Sequence, residues 1–247
     1  MKLNVFFTPL GVATQPIAGK PTLVLDVLRF TTTTVAAMAN GARAVVPAAS
    51  SDEALRLAQN LAPQDVLLGG ERGCKPIEGF HLGNSPAEMT ADVVAGKTLV
   101  MSTTNGTRAF MAVESARPVL IAAITNFSAV VERARKEVDL HGEITILCAG
   151  RRELFAFEDA YVAGRFADAL IPSKARKGAE LNDAAIAALE LGRHYGDKWR
   201  RAVSSSSAAG DLKRLGYKKD LDVATEVDSH SVVPIYSNRI ITLHDTE

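Results

Sequence analysis

A layered α/β/α fold around a mostly parallel or mixed sheet is predicted by three observations. Short apolar runs alternate with segments of helical period from residue 4 to about residue 170. The runs empty into polar, Thr- or Gly-rich stretches that open the next helix, as crossover connections on a parallel sheet do. The 247 residues are 47% hydrophobic and 23% charged, enough for one compact unit over 1–247, possibly built as two intimately packed subdomains.

Asn4 to Phe7 is the first expected strand, closed by Pro9 and Gly11, and the second ends at Asp26 after the Gly19-Lys20-Pro21 turn. Arg29 and Thr31 to Thr34 read as a loop, followed by a helix over Val35 to Asn40 that Gly41 stops. Those hydroxyls either bind an anion at the strand's carboxyl end or merely cap the helix. Ala44 to Val46 is a strand broken by Pro47, Ser50 with Glu53 is a capping-box pattern for a helix through about Asn60, and Val66 to Leu68 is the next strand. Its exit, Gly69-Gly70-Glu71-Arg72-Gly73-Cys74, has glycines that let backbone approach a ligand closely.

Ser85, Pro86 and Glu88 have the cap, first-position and capping-box identities of another helix start. Thr98 to Met101 is a strand whose exit, Ser102 to Arg108, leads to a helix from about Ala109 and echoes the first exit, a hint of two similar halves. A strand at Val119 to Ala122 precedes a helix with Val130, Val131, Ala134 and Val138 on its core face, and a strand at Glu143 to Cys148 precedes a helix opened by Glu158 and Asp159. Acids at a helix start are favoured by its dipole even without a ligand. Further on, Lys174 to Lys177 reads as a basic surface loop, Asn182 to Leu191 as a helix and Trp199 to Ser207 as a flexible loop. Ala208 to Leu215 reads as a short helix, and Asp220 to Ala224 and Ser231 to Leu243 as extended segments.

With 28 basic and 28 acidic side chains, no global charge argues for nucleic acid or an anionic membrane. Cys74 and Cys148 lack a CxxC spacing, so neither a zinc site nor a disulfide framework is expected, and a reducing, cytoplasmic setting is. The apolar run at the amino terminus is too short for a signal peptide, and none reaches membrane-spanning length.

Four strand exits carry functional groups: Asp26 with Arg29, Glu71 with Arg72, Thr104 with Asn105, and Glu158 with Asp159. Gathered on one sheet edge, they would offer carboxylates to a hard cation such as Mg²⁺ and donors to anionic oxygens, which suits phosphate-ester chemistry. Neither cysteine has an arginine six positions on, Asp26 has no second aspartate at residue 28, and no Walker loop or GxSxG elbow occurs. His141 also lacks the preceding arginine of histidine acid phosphatases.

The segments LDVLRFTTTT at 25–34, GGERGCKPIEGFHLGNSP at 69–86, STTNGTRA at 102–109, NFS at 126–128 and LCAGRRELFAFEDAYVAG at 147–164 resemble the 2-phosphosulfolactate phosphatase family. The resemblance covers roughly the whole chain and is less distinct in its carboxyl-terminal third. It implies a family-specific α/β fold and a Mg²⁺-dependent hydrolysis of small anionic phosphate esters of 2-hydroxy acids, giving 3-sulfolactate in coenzyme M biosynthesis. Carried onto this sequence, it implies Asp26, Glu71, Glu158 and Asp159 for Mg²⁺ or for activating water, and Arg29 for phosphate or carboxylate. Thr32, Thr33, Asn84, Ser85, Thr104, Asn105 and Thr107 are the candidates for substrate oxygens, while Arg108 could be structural. Cys148 reads as a small buried residue rather than a nucleophile. A homodimer would be unsurprising at this size. The alternative is a non-catalytic, metal-dependent sensor of a phosphorylated acid, although a pure anion binder has little use for several carboxylates beside its ligand.

Overall fold

The computed structural model describes residues 1–14, 17–171 and 178–243, so the expected basic loop at Lys174 to Lys177 lies outside the described residues. In chain order the first half comprises β1 (Lys2–Phe6), β2 (Thr22–Leu25), α1 (Phe30–Ala39), β3 (Ala44–Pro47), α2 (Ser51–Gln59), β4 (Val66–Arg72), β5 (Lys75–Pro76), α3 (Ala91–Val94), β6 (Thr98–Ser102) and α4 (Gly106–Ala112). The second comprises β7 (Val119–Ala122), α5 (Phe127–His141), β8 (Glu143–Cys148), α6 (Phe157–Leu170), β9 (Glu180–Leu181), α7 (Asp183–Tyr195), α8 (Trp199–Ser204), α9 (Ser207–Arg214), α10 (Lys218–Ala224), β10 (Ile235–Ser237) and β11 (Ile240–Thr242).

The strands form one mixed, mostly parallel sheet in the order β5-β4-β6-β3-β11-β10-β7-β2-β8-β1-β9. One parallel block is β7-β2-β8-β1-β9 and the other is β4-β6-β3. The β10–β11 hairpin sits between them, antiparallel to β7 on one side and to β3 on the other. Three antiparallel junctions therefore leave the blocks running in opposite senses. Twist of roughly 20–25° per strand accumulates over the six steps from β4 to β2 and turns most of that opposition back.

The packing shows the resulting curl. Val24, Ile121 and Leu147 of one block and Val45, Leu99 and Met101 of the other share one core with Phe30 and Val35 of α1 and Phe110 of α4. The sheet thus wraps α1 and α4. Leu23, Leu25, Leu120 and Ile146 point the other way, onto Val130 of α5, Tyr161 and Phe166 of α6, Ala188 of α7 and Trp199 of α8. Helix α2 covers the remaining outer face through Ala54 against Leu68 and Val100. Helices on both faces make the α/β/α layering that the alternating pattern predicts.

Several local expectations are corrected. The threonines at 31–34 are not a loop: α1 starts at Phe30, and nine of its ten residues are buried. A helix enclosed on all sides shows no amphipathic period. Its threonine hydroxyls turn back onto backbone, Thr31 to the Asp26 carbonyl at 3.0 Å and Thr32 to that of Val27 at 2.8 Å. Ser85 caps no α-helix; a single 3₁₀ turn follows, and the Glu88 carboxylate accepts from the Gly83 N–H at 2.7 Å instead. Trp199 to Ser204 and Lys218 to Ala224 are helices, not a flexible loop and an extended segment, because each buries a small apolar stripe. Ser206 is the N-cap of α9, accepting from the Ala209 N–H at 3.2 Å. Gly70 serves the neighbouring strand rather than a ligand: a Cβ there would lie 2.1 Å from the Ser102 carbonyl.

Candidate active site

Parallel pairing aligns Leu25 with Ala122 and with Cys148, so the chain leaves β2 beside the exits of β7 and β8. Asp26 and Asp159 follow from that register. The Asp159 carboxylate accepts from the Val27 N–H at 2.9 Å and the Gly150 N–H at 3.2 Å, stitching the β2 and β8 exits together. Asp26 accepts from the Phe30 N–H at 3.3 Å. Gly106, at the start of α4, lets that backbone come close: a Cβ would stand 2.8 Å from an Asp26 oxygen. From the other block, Glu71 accepts from the Thr104 and Cys74 N–H groups, each at 2.7 Å.

These exits border a cleft lined by Asp26, Arg29, Glu71, Asn84, Asn105, Glu158 and Asp159, with Cys74, Gly150 and Arg151 among the other walls. The sheet's curl has brought together carboxylates that lie 45 residues apart in one case and 88 in another. Their crowding is costly. Burial pushes the Asp26 carboxyl up to about 7, with further upward pressure from Glu71 and Glu158. Burial also raises Asp159 well above the usual carboxylate range, helped by Glu158 and Asp26, and raises Glu158 against the hydrogen bond from Ser206.

Arg29 is fixed in the opposite wall. It donates to Asp220 at 2.6 Å and to the Cys74 carbonyl at 3.0 Å, and its guanidinium lies 4.6 Å from the centre of the Tyr217 ring. Asp220 also accepts from the Ser85 hydroxyl at 2.5 Å, and both Arg29 and Asp220 are buried. Asp220, which anchors Arg29, is a residue that sequence reasoning missed. Nothing in its local sequence signals it, because α10 has only seven residues.

The remaining candidates divide. Asn84 lines the cleft, and its Oδ1 is a buried acceptor without a donor among the described residues. Asn105 lines it too, and accepts from the Arg152 N–H at 2.9 Å. Thr104 faces an adjoining compartment with a buried, unpartnered hydroxyl. Thr32, Thr33 and Thr107 lie behind the walls with their hydroxyls given to the carbonyls of Val27, Asn84 and Thr103. Ser85 lies behind Arg29. Arg72 donates to Ser102 and braces β4 against β6, while Arg108 pairs with Glu153 on the surface. Cys148 is core, and burial raises both its thiol and that of Cys74, so neither is a ready nucleophile.

The donor set is one of hard oxygens: four carboxylates and the orphaned Asn84 amide oxygen. Among the described residues no three ligand-type side chains converge as a ready-made cage. Oxygen donors of this kind are those Mg²⁺ takes, usually one or two carboxylates with water and substrate phosphate completing the shell.

Carboxylates and a pinned guanidinium in one cleft, set at the strand exits of an α/β sheet, are suited to the hydrolysis of phosphate monoesters. The model of the family described as 2-phosphosulpholactate phosphatase matches residues 7–239, and the chain belongs to that family. Relatives named probable 2-phosphosulfolactate phosphatase include one from Symbiobacterium thermophilum, 37% identical over 93% of this chain and 96% of the relative. Another, from Clostridium acetobutylicum, is 35% identical over 96% of this chain and 98% of its own. A third, from Thermotoga maritima, is 34% identical over 94% and 95%. Among the described residues no helix is long and apolar enough to cross a membrane.

Proposed function

We propose that the chain hydrolyses 2-phosphosulfolactate to 3-sulfolactate and phosphate, with Mg²⁺ held by one or two of Asp26, Glu71, Glu158 and Asp159. The observation that supports this best is the buried Asp26, raised to about 7 among like charges, an arrangement that a divalent cation would relieve. Bound there, Mg²⁺ would neutralise charge on the phosphate oxygens and acidify a water. Arg29 uses two of its five N–H groups on Asp220 and Cys74, and offers the rest to a phosphate oxygen. Asp26 accepts a proton from the attacking water as the water's oxygen bonds to phosphorus; the P–O ester bond breaks, and the sulfolactate oxygen leaves with the proton that Asp26 took up. Asn84 accepts from a water or a protonated oxygen of the substrate. The reading includes a cytoplasmic setting and a role in coenzyme M formation.

Phosphate release from 2-phosphosulfolactate tests it. Turnover is expected with Mg²⁺ and not with chelator; equal rates in both, or none with Mg²⁺, would overturn it. A second expectation concerns pH. Asp26 is raised from 3.8 to about 7, so between those values the folded state holds a proton that the unfolded state has released. Metal-free stability should therefore fall as pH rises from about 4 to about 7 and level off above that. Mg²⁺ binds the deprotonated form, so its stabilising shift in Tm should be larger at pH 8 than at pH 5.5. Thermal melts with and without Mg²⁺ at the two pH values check this, and a shift independent of pH would count against Asp26 as a ligand.

A further inference from the structure

Arg29 is buried in the wall of the cleft, and three neighbours decide where its guanidinium lies. Nη1 donates to the Asp220 carboxylate at 2.6 Å and Nη2 to the Cys74 carbonyl at 3.0 Å. Two bonds at the edge of a planar group hold it within its plane and leave it free to tilt about the line joining the acceptors. Its Cζ stands over the Tyr217 ring, 4.6 Å from the centroid, so the ring fills the space into which the group would swing. The local sequence sets this up. Gly216 takes φ +89° after the end of α9, and Tyr217 is the N-cap of α10, its N–H donating to the Leu212 carbonyl at 2.8 Å. Tyr217 and Asp220 are three positions apart, on one face of the first turn of α10, so ring and carboxylate reach Arg29 from the same side. The half-buried ring packs with Leu28 and Cys74 against Ala209, Leu212 and Leu221.

An aromatic face is suited to this position. A second carboxylate there would neutralise the guanidinium and take more of its N–H groups, and an aliphatic side chain would bury the charge with no attraction in return. The ring attracts the cation and consumes no donor. We propose that Tyr217 is a positioning residue for the phosphatase reaction, holding the Arg29 guanidinium by its face so that the donors left free point at the phosphate oxygens of the ester. Tyr217 lies behind Arg29, outside the lining of the cleft, and acts through it. The inference rests on the phosphatase reading above and deepens it, extending the binding site to a residue that touches no substrate.

The test compares wild type, Tyr217→Phe and Tyr217→Leu, each as the full chain with Mg²⁺, in phosphate release from 2-phosphosulfolactate and in inhibition by inorganic phosphate. The Phe variant keeps the ring and should stay within about twofold of wild type in both. The Leu variant should raise KM and the Ki for phosphate together, each by roughly five- to thirtyfold, the range of a cation–π contact withdrawn from water. A ring that merely packed would on removal lower Tm and kcat and leave KM and Ki where they were. Should the Leu variant fail to fold, Tyr217→Met fills the same space with a flexible chain and reads the same two constants. KM and Ki unchanged in the ring-less variant, with wild type active, would overturn the inference and leave the phosphatase reading standing. Inactivity of wild type towards the ester would instead overturn that reading and the inference with it.

Discussion

Asp26→Asn is expected to lower phosphate release from 2-phosphosulfolactate at least about a thousandfold while leaving the fold intact. A thousandfold corresponds to about 4 kcal/mol of lost transition-state stabilisation. The substitution keeps the side chain's volume and its acceptor for the Phe30 N–H, but removes the charge at the centre of the chamber. That charge is unfavourable to the metal-free fold. Above pH 7 the metal-free variant should therefore melt at the same temperature as wild type or higher, and should lose most of the Mg²⁺-induced shift. Activity within tenfold of wild type, in a variant that still responds to Mg²⁺, would remove Asp26 from the chemistry.

Asp220→Asn should be the most destabilising conservative change at the site. Arg29 and Asp220 are buried together, and removing one charge leaves the other uncompensated, at a cost of about 3–5 kcal/mol. At roughly 2–4 °C per kcal/mol for a chain of this size, Tm should fall by about 10 °C, with kcat/KM falling as the guanidinium loses its anchor. The double replacement Arg29→Met with Asp220→Leu separates the two effects. A buried ion pair replaced by apolar groups of similar volume is often neutral, so stability should largely return while turnover does not. Recovery of both would show Arg29 to be only a strut.

The strands and their exits were legible because a buried parallel strand is a short apolar run whose polar continuation stands out. Asp26, Glu71, Glu158 and Asp159 could each be found that way, and the structure gathers all four. The threonines of α1 misled because a helix enclosed by a curled sheet has no polar face to set its period. Asp220 and Arg151 escaped assignment for another reason. Their meaning lies in partners far along the chain, 191 residues away for Asp220 with Arg29 and 60 for Arg151 with Asp211. A helix as short as α10 also gives too few turns for a moment to show. The capping identities at Ser85 were genuine as local chemistry, but that hydroxyl was claimed by Asp220.

The hairpin between the two parallel blocks has a consequence for how the protein comes into being. Residues 235–242 leave the ribosome after the other nine strands among the described residues, yet their place is in the middle of the sheet. Until they arrive, β3 and β7 each keep a bare hydrogen-bonding edge, the kind of surface that recruits other chains. Closing it joins Val45 to Ile241 across almost the whole sequence, a contact whose loop-closure cost falls due late. The carboxylates at the β2 and β4 exits belong to opposite sides of that seam, so residues 235–242 must have been made before the chamber can be assembled.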